Sequence, residues 1–153
     1  MRMEWVRGEF RLTTDPARVD LDAVHGYLSR SYWAKGIPRE VVRRSIEHSL
    51  NFSLWHEPAA AAPRQVGFSR VITDYATFLY LGDVYVLEEF RGRGLSSWMM
   101  EAITDHPELQ GFRRWALLTR DAHGLYERFG WKPLASPDRW MERHFPDVYA
   151  PKK

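Results

Sequence analysis

Residues 87–100 read LEEFRGRGLSSWMM, and the fold turns on what two glycines between two arginines do at that point. Downstream, Leu95, Trp98, Met99, Ala102 and Ile103 recur at helical spacing and predict a helix over about 94–105. Upstream, TFLYLGDVYVL (77–87) is rich in β-branched and aromatic residues and predicts a strand. A strand that runs into Arg91-Gly92-Arg93-Gly94-Leu95-Ser96 and then a helix gathers backbone N–H groups and the positive end of the helix around one point. Gly92 and Gly94 let the chain bend close to an oxygen, and Arg91 and Arg93 add charge-assisted hydrogen bonds. This chemistry suits a pyrophosphate. The Gly-Lys-Ser/Thr end of a Walker A loop is missing, as is a full G-x-G-x-x-G fingerprint. Taken alone, the loop reads equally as a tight turn with solvated arginines.

Further from the loop the elements alternate. GEFRLTTD (8–15) predicts a first strand, and helices follow over about 18–29 and 38–50, the second opened by Pro38. NFSLWHE (51–57) and RQVGFSRVITD (64–74) predict two strands ahead of the one at 77–87. Gly82 marks a bulge there, or a place where a ligand comes close. After the loop helix come a strand at 113–119, a helix at 122–130 closed by Gly130, and a last strand at 138–145. The expectation is a mixed α/β chain with one domain over 1–150 and a tail at 151–153.

The composition agrees with a single folded domain: 153 residues, 44% hydrophobic and 27% charged. With no cysteine there is no disulfide framework, thiolate metal site or cysteine nucleophile. The six histidines show no metal-ligand spacing, so no metal is expected. A net charge of +2 demands no nucleic-acid footprint. No stretch approaches the ~18 consecutive apolar residues of a membrane span, and MRMEWVRGEF has no apolar leader core. Neither a nucleic acid nor a membrane is expected as a partner, and the expected location is cytoplasmic.

Two motifs together are more specific than either alone. The acetyl-coenzyme A loop of the GCN5-related N-acetyltransferase (GNAT) family, [Arg/Gln]-x-x-Gly-x-[Gly/Ala], is matched by Arg91 to Ser96, with Ser96 where Gly or Ala is usual. The family's later helix, with Leu-Tyr ahead of a Gly-aromatic pair, is matched by AHGLYERFGW through Leu125, Tyr126, Gly130 and Trp131. The chain thus resembles that family. The resemblance implies a mixed, mostly antiparallel sheet of six to seven strands, splayed between the family's fourth and fifth strands, with about four helices. It implies acetyl-coenzyme A as cofactor, with Val84, Tyr85 and Val86 along the pantetheine, Arg91, Gly92, Arg93, Gly94, Leu95 and Ser96 at the pyrophosphate, and Asp121 where many members carry Asn. Tyr126 matches the family's acid for the departing thiolate, or is a core aromatic. Asp83 is the candidate base or substrate anchor, or a carboxylate satisfying a bulge.

For the acceptor, Tyr32 and Trp33 in SYWAKGIPRE, with Glu47, Asp74, Tyr75 and Asp83, would form an aromatic and acidic pocket suited to a small cationic amine. Equally, Tyr32 and Trp33 only pin their loop to the core. SYWAKGIPRE and TRDAHGLYERFGW are also similar to a subgroup related to the kasugamycin 2'-N-acetyltransferases, which implies an aminoglycoside acceptor and antibiotic resistance. Two readings stand beside that one: an acetyltransferase of a metabolite or protein amine, and a non-catalytic module binding acetyl-coenzyme A or, through RGRG, RNA. Aromatic residues in DRWMERHFPDVY suit either a homodimer edge or an ordinary last strand.

Overall fold

The computed structural model describes residues 1–151, so residues 152 and 153 of the expected tail lie outside the described residues. The chain opens with a hairpin, β1 (Glu4–Arg7) and β2 (Phe10–Thr13). It continues through α1 (Leu21–Leu28) and α2 (Arg39–Glu47) to β3 (Leu50–His56), β4 (Arg64–Thr73) and β5 (Phe78–Val86). Helix α3 (Leu95–Thr104), β6 (Arg114–Leu117) and α4 (His123–Glu127) complete it. The six strands form one sheet in the order β1-β2-β3-β4-β5-β6, antiparallel except for the parallel β5–β6 pair.

Helices cover both faces of the sheet. On one side Val24 and Leu28 of α1 and Val42 of α2 pack with Phe68 and Tyr85. On the other, Trp98, Met99 and Ile103 of α3 pack with Leu12, Phe52, Leu54, Leu79 and Leu81. The alternation of strand side chains supplies both cores from the same strands. Asp20 caps α1 by accepting from Ala23 N–H at 3.1 Å, which starts that helix after a separate 3-10 turn at Pro16–Arg18 rather than at residue 18. Gly67 lets β3, β4 and β5 close up: a Cβ there would stand 2.9 Å from Leu54 Cδ2 and 3.0 Å from Tyr85 O.

Two strand expectations change. The first strand at 8–15 is the second arm of a hairpin, since residues 4–7 pair with 10–13. No strand forms at 138–145: a 3-10 turn spans Pro137–Arg139, and the residues after it are exposed, Met141 at 96%. A four-residue β6 offers that segment a short edge only, and a strand needs a paired edge to satisfy its backbone. The sheet therefore has six strands, the lower of the expected numbers.

The strand read as the family's fourth is β5, and the splay is explicit in its register. Phe78 to Leu81 pair with Arg114 to Leu117, and pairing stops there. One residue later the β4–β5 register shifts, from Arg70 opposite Gly82 to Phe68 opposite Tyr85. Two residues of β5, Asp83 and Val84, thus face the single Ser69 of β4, and Asp83 takes up the left-handed conformation at φ 54°. The bulge expected at Gly82 lies one residue later.

Candidate functional site

The bulge sits at the point of a V whose arms are the second half of β5 and the segment after β6. Leu87 N–H donates to Val66 O of β4 at 2.8 Å. Backbone groups alternate along a strand, so those of Leu87 and Tyr85 face β4, while those of Val86 and Val84 face the open side toward β6. Val86 O accepts from Arg91 Nε at 3.0 Å, which leaves the N–H groups of Val84 and Val86 and the carbonyl of Val84 on the open side. Tyr85, expected beside them, is corrected: its ring is buried under Tyr27, with centroids 3.8 Å apart, and burial pushes its phenol well above the usual range.

At the mouth of this cleft the chain turns through Gly92 (φ 78°) and Gly94 (φ 74°). Gly94 is the N-cap of α3 and brings no side chain to cap it, so the first-turn N–H groups of the helix stay open. A Cβ at either glycine would meet nothing within 4 Å. The need for glycine is therefore conformational, and the cradle is roomy. Val86, Phe90, Gly92, Leu95, Ser96 and Ser97 line a cleft of about 260 Å³ with Leu125 and Arg128 of the α4 end.

The arginines differ from expectation. Arg91 is spent internally, donating to Val86 O and, from NH2, to Tyr27 Oη at 3.3 Å. The Arg93 guanidinium lies 5.4 Å from the Phe90 ring centroid. Cationic charge across the cleft comes from Arg128, whose NH2 donates to Ser97 Oγ at 3.0 Å. Leu125 and Arg128, three residues apart, share one face of the helical turn, a signal that the sequence carries and that motif matching passes over. Asp121 is 73% exposed and makes only a 4.0 Å contact with Arg120. Thr119 Oγ1, not Asp121, accepts from Ala122 N–H at the start of α4, at 3.0 Å.

Gly94 separates conformation from bulk. Gly94→Ala weakens acetyl-coenzyme A binding, because a Cβ in the left-handed region costs about 1–2 kcal/mol. Gly94→Asn weakens it less although Asn is larger, since Asn tolerates that region. Isothermal titration of the two variants checks the order, and a greater loss for Asn would show that crowding decides.

Tyr126 of α4 is 8% exposed and packs against Trp131, with ring centroids 6.0 Å apart. Burial first, and the nearby Tyr32 phenol second, push its hydroxyl up to about 12. Tyr32 also carries the Arg120 guanidinium over its ring at 3.9 Å, and its ring meets Trp33 edge-on at 5.1 Å. Trp33 Nε1 donates to Asp83 Oδ1 at 2.9 Å, and Arg70 Nε donates to Asp83 Oδ2 at 2.8 Å. The loop between α1 and α2 therefore straddles the splay, tied to β5 through Trp33 and to the loop after β6 through Tyr32.

Asp83 accordingly holds Arg70 and Trp33 in place; each of its oxygens already accepts one of these hydrogen bonds, which speaks for positioning rather than for the base. Glu47 pairs with Arg43 along the exposed side of α2. Asp74 lies in the β4–β5 turn, where its carboxylate accepts from Ala76, Thr77 and Phe78 N–H and from Thr77 Oγ1. These hydrogen bonds, led by the Thr77 hydroxyl, hold its carboxyl well below the usual range. Tyr75 is in the same turn at φ 61°. The turn lies at the far end of β5 from Asp83, since Phe78 to Asp83 alone spans five residues, or ~17 Å of strand. Of the expected acidic wall, Asp83 is at the bulge, Asp74 is at the far end of β5 and Glu47 is engaged by Arg43.

The model of the acetyltransferase (GNAT) domain matches residues 54–133, more than half of the chain. The chain belongs to the GNAT acetyltransferase family. A protein of Gibberella zeae assigned as an acetyltransferase is 34% identical to this GNAT chain over 140 residues, 80% of this chain and 78% of the relative. A crystal structure of a protein from Xanthomonas campestris pv. campestris, assigned to the same family, matches with a TM-score of 0.86 at 48% identity, over 93% of this chain and 97% of that one. A Clostridium acetobutylicum protein crystallised with acetyl-CoA matches with a TM-score of 0.62 at 14% identity, over 94% and 96% of the two chains, and shares the fold.

Acetyl-coenzyme A is the donor used by GNAT acetyltransferases, and the residues present fit it. The uncapped start of α3, the open cradle at Gly92 and Gly94, and Arg128 suit a pyrophosphate. The unpaired backbone of Val84 and Val86 suits the amides of a pantetheine arm. No helix among the described residues is long and apolar enough to cross a membrane.

Proposed function

We propose that this protein transfers an acetyl group from acetyl-coenzyme A directly to the primary amine of a small molecule. One observation carries the reading: the bulge at Asp83 and the end of β5–β6 pairing at Leu81 leave strand backbone free at the splay, and the Tyr126 phenol lines a hollow with Leu117 and Thr119 on the β6 side of it. When bound, the donor supplies a thioester whose carbonyl is open to attack by a neutral amine and whose sulfur can depart. The residues of this chain hold and shield that exchange. Tyr126 keeps its proton at Oη and presents it to the departing sulfur. At about 12 it is a weaker acid than an ordinary thiol near ~8.5, so it works as a hydrogen-bond donor to developing charge, and water completes the protonation. The N–C bond forms as the C–S bond breaks, and the amine's proton leaves to solvent.

The aminoglycoside reading loses free carboxylates, because Glu47 pairs with Arg43, Asp74 is spent on its own turn and Asp83 already faces Arg70. Kasugamycin therefore belongs in the test as one acceptor among several. The RNA reading loses its free arginines, since Arg91 bonds within the fold and Arg93 lies over Phe90. The experiment is acetyl-coenzyme A consumption, read as thiol release, against a panel of kasugamycin, other aminoglycosides, polyamines, amino acids and phosphorylated amines. Release well above hydrolysis with at least one amine is expected. A melting shift with the cofactor but no amine-dependent release anywhere in the panel would overturn the reading in favour of a binding module.

A further inference from the structure

Charge around the acceptor side of the cleft does not balance. Asp83 and Arg70 neutralise each other at 2.8 Å, both largely buried, with side-chain exposures of 11% and 18%. Arg120 is left over. Its only ion-pair partner among the described residues is Asp121, at 4.0 Å and 73% exposed, a pairing that solvent screens to little. Arg120 is 65% exposed, yet its place is fixed by an aromatic contact. Its guanidinium carbon stands 3.9 Å from the Tyr32 ring centroid, close enough for the planar group to lie against the ring. Contact through the face leaves the N–H edges free, and a guanidinium edge matches a carboxylate or phosphate in a two-point hydrogen bond.

The position of this cation ties it to the chemistry. Tyr32 lies close enough to Tyr126 to disfavour its ionisation, and the edge-on neighbour Trp33 reaches the bulge through Asp83. Arg120 itself comes from the segment between β6 and α4, the far arm of the splay. A molecule that reaches Tyr126 from the side of the α1–α2 loop would pass the exposed rings of Tyr32 and Trp33, with Arg120 at their edge.

We infer that the acceptor carries an anionic group, a carboxylate or a phosphate, beside its primary amine, and that Arg120, braced on Tyr32, binds that group. The inference rests on the acetyl-transfer reading and narrows its substrate class. A polycation is repelled by Arg120, which already occupies the Tyr32 face, whereas an amine with an acidic group neutralises that charge. Arg120 determines specificity and takes no part in bond making.

Matched acceptors test this: L-phenylalanine against phenethylamine for the carboxylate, O-phosphoethanolamine against ethanolamine for the phosphate, and cadaverine as a dication. The acidic member of at least one pair is expected to have a kcat/KM about 10- to 100-fold above its neutral partner, the range of a hydrogen-bonded charge pair. Whichever pair shows the larger ratio identifies the acid. Arg120→Gln brings that ratio close to one mainly through KM, and Arg120→Glu turns the preference toward cadaverine. Equal rates within both pairs, a wild-type preference for cadaverine, or a ratio untouched by Arg120→Gln would each overturn the inference while leaving acetyl transfer in place. If no amine here or in the wider panel draws acetyl from a bound donor, the acetyl-transfer reading itself falls and this inference with it.

Discussion

Tyr126→Phe lowers kcat by about 10²- to 10³-fold, within the span attributed to one positioned proton donor, while the affinity for acetyl-coenzyme A stays close to wild type. The substitution removes a single oxygen from a ring that is otherwise packed against Trp131, so the fold around α4 is retained. The pH dependence adds a second check. Because burial and Tyr32 raise the phenol to about 12, the protonated form is the populated one at every lower pH. Tyr126 therefore causes no loss of rate through pH ~10, where an ordinary tyrosine would already be half ionised. Stopped-flow thiol release across the alkaline range checks both statements. Turnover by the Phe variant at the wild-type rate would remove Tyr126 from the reaction.

Asp83→Ala has the second large effect, and it acts on stability as well as on rate. The substitution leaves the largely buried Arg70 guanidinium with no counter-charge and releases Trp33 from its hydrogen bond. Removing one partner of a largely buried pair costs about 2–4 kcal/mol, between the values for exposed and fully buried pairs. The double variant Asp83→Ala/Arg70→Ala is expected to lose less than the sum of the two single changes, because the stranded charge is gone. Urea unfolding of the four proteins measures that coupling. Activity falls in Asp83→Ala through the loosened loop at Tyr32 and Trp33, so its KM for the amine rises more than its kcat falls. A loss confined to kcat, with stability intact, would restore Asp83 as the base.

Several features are legible in the sequence because their causes are local. The cradle needs positive φ at Gly92 and Gly94 and an uncapped helix start, and both follow from residue type and order within one short stretch. Tyr126 is legible through the Leu-Tyr to Gly-Trp spacing. The acceptor residues are not, because an acidic or aromatic side chain declares its type and not its place. Asp74 has the chemistry of a substrate anchor and spends its oxygens on its own turn. Tyr85 has the position of a cofactor-wall residue, but strand alternation turns its backbone toward β4 and its ring under Tyr27. Arg128 lies within AHGLYERFGW at a position the motif does not specify, although its helical phase with Leu125 is readable from spacing alone.

By itself the sequence determined the central run of elements from β3 to α4, the glycine turn that opens α3 and the place of Tyr126 in α4, since each depends on neighbours within a few residues. Tertiary structure alone decided where β5 leaves β6, that the bulge residue is Asp83, and that Arg70 and Trp33 close on it. It also decided that 138–145 finds no edge to pair with and that Arg120 comes to rest on Tyr32. These depend on strand register and on contacts between residues up to fifty or more positions apart, which no local propensity encodes. The LEEFRGRGLSSWMM loop thus carries a local signature that sequence alone can read, while the surroundings of Asp83 are made by side chains that only folding brings together.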